Sequence, residues 1–251
     1  MTLFLIGIGL WDAQDITVKG LAAIKKCSNV YLENYTSLLG VTQQALEELY
    51  QKNIILVDRA FVEQQNTVLE QAQQEDVALL IMGDVFSATT HYELFLEAKK
   101  RAITVEVIFN ASIMTAISIT GLMLYNFGKT TSIPFPQDGY HPETTYQVVK
   151  QNLQQGLHTL VLLDIQPKEK GYMTVNQGLQ ILLDLEKKLK KKVFTNITCC
   201  LGCARIGGNR IIKYGTVEQL LKENFGKPPH CIIIPGKLHF LEEEALEQWK
   251  I

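Results

Sequence analysis

The sequence predicts an α/β protein of two domains, each an α/β domain with a mainly parallel sheet. Three observations carry that prediction. Short apolar runs alternate with longer stretches of 3.6-residue periodicity along the whole 251-residue chain. The runs, clearest at Val77-Ala78-Leu79-Leu80-Ile81, are unbroken rather than alternating, which is the pattern of strands buried on both faces. The composition, 47% hydrophobic and 20% charged, is that of a globular chain able to bury a sizeable core.

Taken in order, residues 3–8 form the first strand and residues 16–26 the first helix, with Asp15 placed to cap it and Leu21 and Ile24 on its apolar stripe. Residues 29–33 and 42–50 continue as strand and helix. Residues 54–57, 62–73, 77–81, 92–101 and 104–108 then read as strand, helix, strand, helix, strand. Residues 112–121 look helical, and residues 125–140, punctuated by Gly128, Pro134, Pro136 and Gly139, read as a loop. The second half resumes with a helix at 143–154, a strand at 159–163 and a long helix at 175–191 capped by Thr174. A strand at 197–203, a helix at 216–224 and a strand at 231–234 follow. The change of pattern near Asn110 divides the chain into domains of residues 1–110 and 111–251.

Several function classes fall away at this stage. Lys and Arg number 24 against 26 Asp and Glu, a net charge of -2, so there is no electropositive excess for nucleic acid. The basic run at 187–192 ends a helix, where cations oppose the macrodipole. No apolar run approaches a membrane span and no signal-like segment precedes the first strand, so a cytoplasmic setting is expected. Cys200-Leu201-Gly202-Cys203 is formally a C-x-x-C, but neither a second pair nor paired histidine spacing completes a zinc set. The five cysteines are therefore expected to be buried, reduced thiols, and no metal is expected. Gly7-Ile8-Gly9-Leu10-Trp11-Asp12 begins like a dinucleotide fingerprint, yet Asp12 stands where the third glycine belongs. Gly128-Lys129-Thr130 ends like a phosphate loop, yet the required upstream glycine is Met123. There is no G-x-S-x-G elbow.

What remains is a set of strand ends. Ligands of open α/β sheets bind beyond the carboxyl ends of the strands, where Gly83-Asp84-Val85-Phe86-Ser87 follows a buried run. Gly7–Leu10, Asn110-Ala111-Ser112-Ile113, Leu162-Leu163-Asp164, Ala204–Gly208 and His230 occupy comparable positions. Gly9 and Gly83 would give backbone clearance, and Leu10, Ile113, Leu163 and Ile206 apolar walls. Asp84, Ser112 and His230 would supply orienting polar groups. That mixture suits a small ligand with apolar and hydroxylated parts, such as an adenosyl group.

These residues and their neighbours resemble a known family. Gly7-Ile8-Gly9-Leu10, Asp15-Ile16-Thr17-Val18-Lys19-Gly20, Tyr31-Leu32-Glu33-Asn34-Tyr35-Thr36-Ser37, and Gly83-Asp84 with Ala88-Thr89-Thr90-His91 carry the likeness in the first half. Asn110-Ala111-Ser112-Ile113 and His158-Thr159-Leu160 through Leu163-Asp164-Ile165 continue it in order. They are similar to the motifs of the diphthine synthases, which are class III, tetrapyrrole-methylase-like methyltransferases. The resemblance spans essentially the whole chain. It implies two α/β domains with the ligand cleft between them, and a homodimer. It also implies methylation of the modified histidine of translation elongation factor 2 during diphthamide synthesis, with S-adenosyl-L-methionine as donor and S-adenosyl-L-homocysteine as product. The donor contacts it implies are Leu10, Asp84, Ser87, Ser112, Ile113, Leu163, Ile206 and His230. Phe86, Met114 and the segment 202–207 are more similar to eukaryotic members, which implies diphthine methyl ester as the product.

The sequence departs from the family at Val85, where proline is usual, and at Ser87, where many members have valine or glycine. Residues 166–173 form a shorter segment than in eukaryotic relatives. No catalytic base is legible. Methyl transfer is an in-line displacement at a sulfonium carbon, which calls for positioning and exclusion of water rather than a metal or covalent intermediate. Two other classes stay open: a methyltransferase of small tetrapyrroles, and a non-catalytic protein that keeps the pocket. The matches at 31–37 and 159–165 favour the diphthine synthases.

Overall fold

The apolar runs of the first half assemble into one fully parallel sheet. In the computed structural model, which describes residues 1–64, 66–136, 142–166 and 170–251, the chain divides into two compact units, Met1–Met114 and Thr115–Ile251. The first unit contains strands β1 (Thr2–Gly7), β2 (Asn29–Glu33), β3 (Ile55–Val57), β4 (Val77–Ile81) and β5 (Thr104–Ile108), in the order β3-β2-β4-β1-β5. All its pairings are parallel, with Leu3 opposite Val77 and Gly7 opposite Ile81.

The unbroken apolar character of β1 and β4 follows from this arrangement. Side chains alternate between faces, so Leu3, Leu5, Val77, Leu79 and Ile81 pack on one side with Val62, Val68, Leu69, Leu94 and Ala98. Phe4, Ile6, Ala78 and Leu80 pack on the other with Ala23, Ile24, Leu46 and Tyr50. The helices on these faces are α1 (Val18–Lys26), α2 (Gln43–Tyr50), α3 (Arg59–Gln64), α4 (Thr67–Ala72) and α5 (Tyr92–Lys100). Two local expectations change. Thr17, not Asp15, caps α1, its Oγ1 accepting from the Gly20 amide at 3.0 Å. The helix expected at 62–73 is two helices, with Asn66 at the start of the second.

Residues expected to be helical at 112–121 form the short helix α6 (Ile113–Ala116) and a 3-10 turn, Ile117–Thr120, that stops at Gly121 with φ +91°. The second unit holds β6 (Thr131–Ile133), α7 (Thr144–Gln154), β7 (Thr159–Leu163) and a small hairpin of β8 (Ile165–Gln166) and β9 (Gly171–Tyr172). Beyond these come α8 (Val175–Leu189), β10 (Cys199–Ala204), β11 (Ile211–Thr216), α9 (Val217–Leu220), β12 (His230–Ile234) and α10 (Phe240–Glu247). The loop expected at 125–140 therefore contains a strand, and residues 137–140 lie outside the described residues, as do His141 and 167–169.

The second sheet, ordered β11-β10-β12-β7-β6, corrects the expectation of mainly parallel pairing in this half. Only β6–β7 is parallel; β7–β12, β12–β10 and β10–β11 are antiparallel. The connection between β10 and β11 is too short for a crossover, so the chain can only turn back on itself. β11 escaped sequence reading because Lys213, Tyr214 and Gly215 interrupt its apolar pattern at the edge of the sheet. The α/β class itself holds. Thr174 caps α8 as expected and forms a reciprocal capping box with Gln177. Cys27, Cys200, Cys203 and Cys231 are buried free thiols, but Cys199, the first residue of β10, is exposed.

One buried polar pair anchors α10 within this unit. Glu242 and His158 are both fully buried, with His158 Nε2 3.0 Å from Glu242 Oε1. Glu242 Oε1 also accepts from the Met123 amide, and Oε2 from the His239 amide. Burial pushes this carboxyl up, but the His239 and Met123 amides, His158 and Asn126 outweigh it and bring it down to about 2. His158 Nδ1 accepts from the Gly236 amide at 2.9 Å, so its proton sits on Nε2 and the ring is neutral. Among the described residues no helix is long and apolar enough to cross a membrane.

Candidate functional site

The carboxyl edge of the parallel sheet is organised around two glycines. Just beyond β1 and β4, Gly9 and Gly83 exchange backbone hydrogen bonds of 3.2 and 2.7 Å, with φ of +82° and +80°. Their roles differ. A side chain at Gly9 would overlap Asp15, so this glycine serves packing rather than ligand clearance. The corresponding space at Gly83 is bordered only by Leu10 Cδ2 and Ala111 O, each 3.8 Å away. Of the two glycines, Gly83 therefore leaves open space at its backbone, with Leu10 beside it.

Asp15 has a different task from the expected helix cap. Its Oδ2 accepts from the amides of Leu10, Trp11 and Asp12 at 3.2, 2.8 and 3.0 Å, which folds the turn after β1. Asn110, just beyond β5, joins the neighbouring loops through Nδ2, which donates to the carbonyls of Gly7 and Asp15 at 2.9 Å each. Asp84 is buried and ties its own loop: Oδ1 accepts from the Asn110 amide at 3.1 Å. Its Oδ2 accepts from the Phe86 amide at 3.2 Å and the Ser87 hydroxyl at 2.9 Å. A carboxylate has about four acceptor directions. Three are used within the protein, so Asp84 is first a loop organiser and has little acceptor capacity left. Ser87 and Ile113 are half-buried and Ser112 is buried.

Leu10, Asp84, Ser87, Ser112 and Ile113 thus gather on one edge of the first unit. The other three expected contacts gather within the second. Leu162 pairs with Cys231 and Ala204 with His230, which places Leu163, His230 and the residues after Ala204 at one end of that sheet. Leu163 and Ile206 are buried. His230 was expected to be an orienting polar group, but its nitrogens are taken: Nδ1 accepts from the Val175 amide at 3.3 Å, and Nε2 donates to the Lys227 carbonyl at 3.1 Å. Burial pushes its imidazolium pKa below the usual histidine value, against the opposing pull of the Lys227 carbonyl. The neutral ring can offer a ligand its face but no free nitrogen.

Sequence reasoning placed Asn110 at this edge and Asp15 as a helix cap without their loop-tying roles, and it missed Glu33, whose buried carboxylate accepts from the amides of Met82, Tyr35 and Thr36. The signal for Glu33 was present: a carboxylate closing an otherwise apolar strand is buried only when hydrogen-bonded. Among the described residues, no group of three or more His, Cys, Asp or Glu side chains is arranged to hold a metal ion.

A parallel sheet whose glycine-lined carboxyl edge carries a buried aspartate fits an adenosyl-binding enzyme, and comparison with known proteins defines the class. The family model of tetrapyrrole (corrin/porphyrin) methylases matches residues 2–220. A diphthine synthase of Methanocaldococcus jannaschii is 47% identical over 250 residues, covering 98% of this chain and 97% of that protein. A diphthine methyl ester synthase of Dictyostelium discoideum is 43% identical, covering 100% of this chain and 99% of that protein. A crystal structure from Entamoeba histolytica, described as a candidate diphthine synthase, superposes with a TM-score of 0.94 at 42% identity, covering 100% of this chain and 98% of that one. The chain belongs to the diphthine synthase branch of the tetrapyrrole methylase family, and it is a methyltransferase.

Proposed function

We propose that this methyltransferase acts in diphthamide biosynthesis, transferring methyl groups from S-adenosyl-L-methionine to the modified histidine of translation elongation factor 2. The observation that carries the reading is the open face of Gly83 beside Leu10, on a loop tied by Asp84, in a chain with near full-length identity to diphthine synthases. The donor supplies an activated methyl group on a sulfonium with a good leaving group. The candidate donor contacts are Leu10, Asp84, Ser87, Ser112 and Ile113 in the first unit and, taken separately, Leu163, Ile206 and His230 in the second.

The chain's own contribution is positional. Gly83 admits the ligand against the backbone beside Leu10, and Ile113 of the same unit is a candidate apolar contact, as are Leu163 and Ile206 of the second unit. Ser87, its hydroxyl proton committed to Asp84, presents an oxygen that accepts a hydrogen bond. Pre-organisation of this kind lowers the barrier without a nucleophilic side chain. The product is assigned to the methyl ester type on Phe86, Met114 and the segment 202–207. Overall identity, 47% to the archaeal synthase and 43% to the eukaryotic methyl ester synthase, does not separate the two types.

The test is methylation of elongation factor 2 carrying the unmethylated intermediate, followed by mass spectrometry of the intact factor. Alkaline treatment of the product, which removes an ester methyl but not an N-methyl, distinguishes methyl ester formation from N-methylation. A small tetrapyrrole methylated in place of the factor would overturn the reading.

A further inference from the structure

One arginine ties two loops of the second unit together. Arg205 follows Ala204, the last residue of β10, which pairs with His230 at the start of β12. Its Nε donates to the Asn209 carbonyl at 3.0 Å, closing the turn that carries Ile206. Its Nη1 donates to the carbonyl of Phe225 at 3.0 Å and to that of Lys227, both in the loop that leads into His230. The Arg205 amide adds a bond of 2.9 Å to the Pro229 carbonyl. The Lys227 carbonyl also accepts from His230 Nε2 at 3.1 Å, so the arginine and the histidine share an acceptor.

The backbone at this position makes the arginine informative. Arg205 has φ +49°, in the left-handed region where a side chain is penalised and glycine is favoured. Glycine follows at 207 and 208, yet the strained position itself holds arginine. A residue kept in such a conformation points to a use for its side chain. Gly226, with φ +68°, makes room for that side chain: a Cβ there would stand 3.4 Å from both Nη1 and Nη2. Lysine is no equivalent, because its single ammonium lacks the planar fork that reaches carbonyls on two loops at once. Ile206, next in sequence, is buried, and the Phe225 ring meets that of His230 edge-on at 6.2 Å.

We propose that Arg205 is a positioning residue for the methyl donor: its guanidinium clamps the 206–209 turn to the 225–229 loop and so holds Ile206 and the His230 ring at one spacing, as two walls for the adenosyl group. The inference rests on the reading above in which Ile206 and His230 meet the donor. Arg205 acts through these two residues and touches no reacting atom. The adenosyl group is common to donor and product, so loss of the clamp weakens S-adenosyl-L-methionine and S-adenosylhomocysteine by the same factor. Uniform binding of that kind is read in KM and leaves kcat alone.

Two substitutions separate the clamp from a backbone role. Arg205→Gly removes the guanidinium and suits the left-handed φ, whereas Arg205→Lys keeps the charge and the stem but not the fork. Calorimetry on folded protein gives the affinity for S-adenosylhomocysteine. Steady-state methylation of elongation factor 2 carrying the unmethylated intermediate gives the donor KM and kcat. Arg205→Gly should weaken S-adenosylhomocysteine about tenfold, the scale of one hydrogen bond from a charged group, and raise the donor KM equally. Its kcat should stay within about twofold of wild type, and Arg205→Lys should lose about threefold in affinity. A backbone role predicts the opposite, since glycine relieves the strain: wild-type affinity in a folded Arg205→Gly protein overturns the clamp. So does a fall in kcat with donor KM unchanged. If Arg205→Gly does not fold, Arg205→Lys decides, and wild-type affinity in that variant is the contradicting result. A wild-type protein that binds S-adenosylhomocysteine but leaves the factor unmethylated overturns the acceptor reading and leaves the clamp standing. One that does not bind S-adenosylhomocysteine overturns the donor reading, and the clamp with it.

Discussion

At Gly83 and Asp84 the proposed ligand role and a structural role fall on the same residues. Gly83 has φ +80° and open space on its missing side chain, so Gly83→Ala both strains the backbone by about 1–2 kcal/mol and fills the ligand's place. The expected outcome is a lower melting midpoint together with loss of S-adenosylhomocysteine binding by calorimetry. Asp84→Ala releases the amides of Asn110 and Phe86 and the Ser87 hydroxyl. It should cost about 1.5–3 kcal/mol, the range for hydrogen bonds to a charged group, in both thermal stability and donor affinity. Unchanged affinity in a destabilised Asp84→Ala protein would confine Asp84 to the loop. In the second unit, Ile206→Asp would bury an unpaired carboxylate, so donor binding should fall by several kcal/mol while circular dichroism still reports a folded chain. Gly83 and Asp84 stood out in the sequence through their place after a buried strand and beside other strand ends, because a glycine-aspartate pair alone is a common turn former. The true work of Asp15, and the loss of His230's free nitrogens, were not legible. Both depend on which amides fold back onto the side chain, and that is set by loops distant in sequence.

Among the elements, α10 shows what sequence periodicity misses. Phe240 and Leu241 are exposed, so no apolar stripe announces the helix; its attachment is the buried carboxylate of Glu242. Glu242→Ala leaves the Met123 and His239 amides and His158 without their acceptor, and should cost about 1–3 kcal/mol for each donor left unsatisfied, by thermal or urea unfolding. The same group makes stability depend on pH. Its folded pKa of about 2 lies below the ordinary value of 4.5, so its contribution is fully present above that ordinary value and fades as pH falls toward 2. Thermal melts from pH 6 to pH 2.5 should show a larger loss in the wild type than in Glu242→Ala, which keeps the contributions of Glu186 and the other hydrogen-bonded carboxylates. A wild-type profile parallel to that of the variant would remove Glu242 from this role. β11 and the break between α3 and α4 were hidden for a related reason. An edge strand with one wet face carries too few apolar repeats to be distinguished from loop, and the two six-residue helices follow each other so closely that they read as one.

For the whole molecule, the alternation of strand and helix gave the α/β class, and the unbroken runs gave the parallel sheet of the first unit. The same signals do not specify the direction of neighbouring strands, so the antiparallel pairings of the second sheet were not legible in the sequence. The family resemblance also implies self-association, and we expect a homodimer: light scattering at micromolar concentration should return twice 28.3 kDa, and a species of 28.3 kDa would contradict it. The central claim is the chemistry on elongation factor 2. Incubation of the factor carrying the unmethylated intermediate with this protein and S-adenosyl-L-methionine, followed by mass spectrometry of the intact factor, should show mass added in whole methyl increments on the modified histidine. No added mass, with donor binding intact, would contradict it.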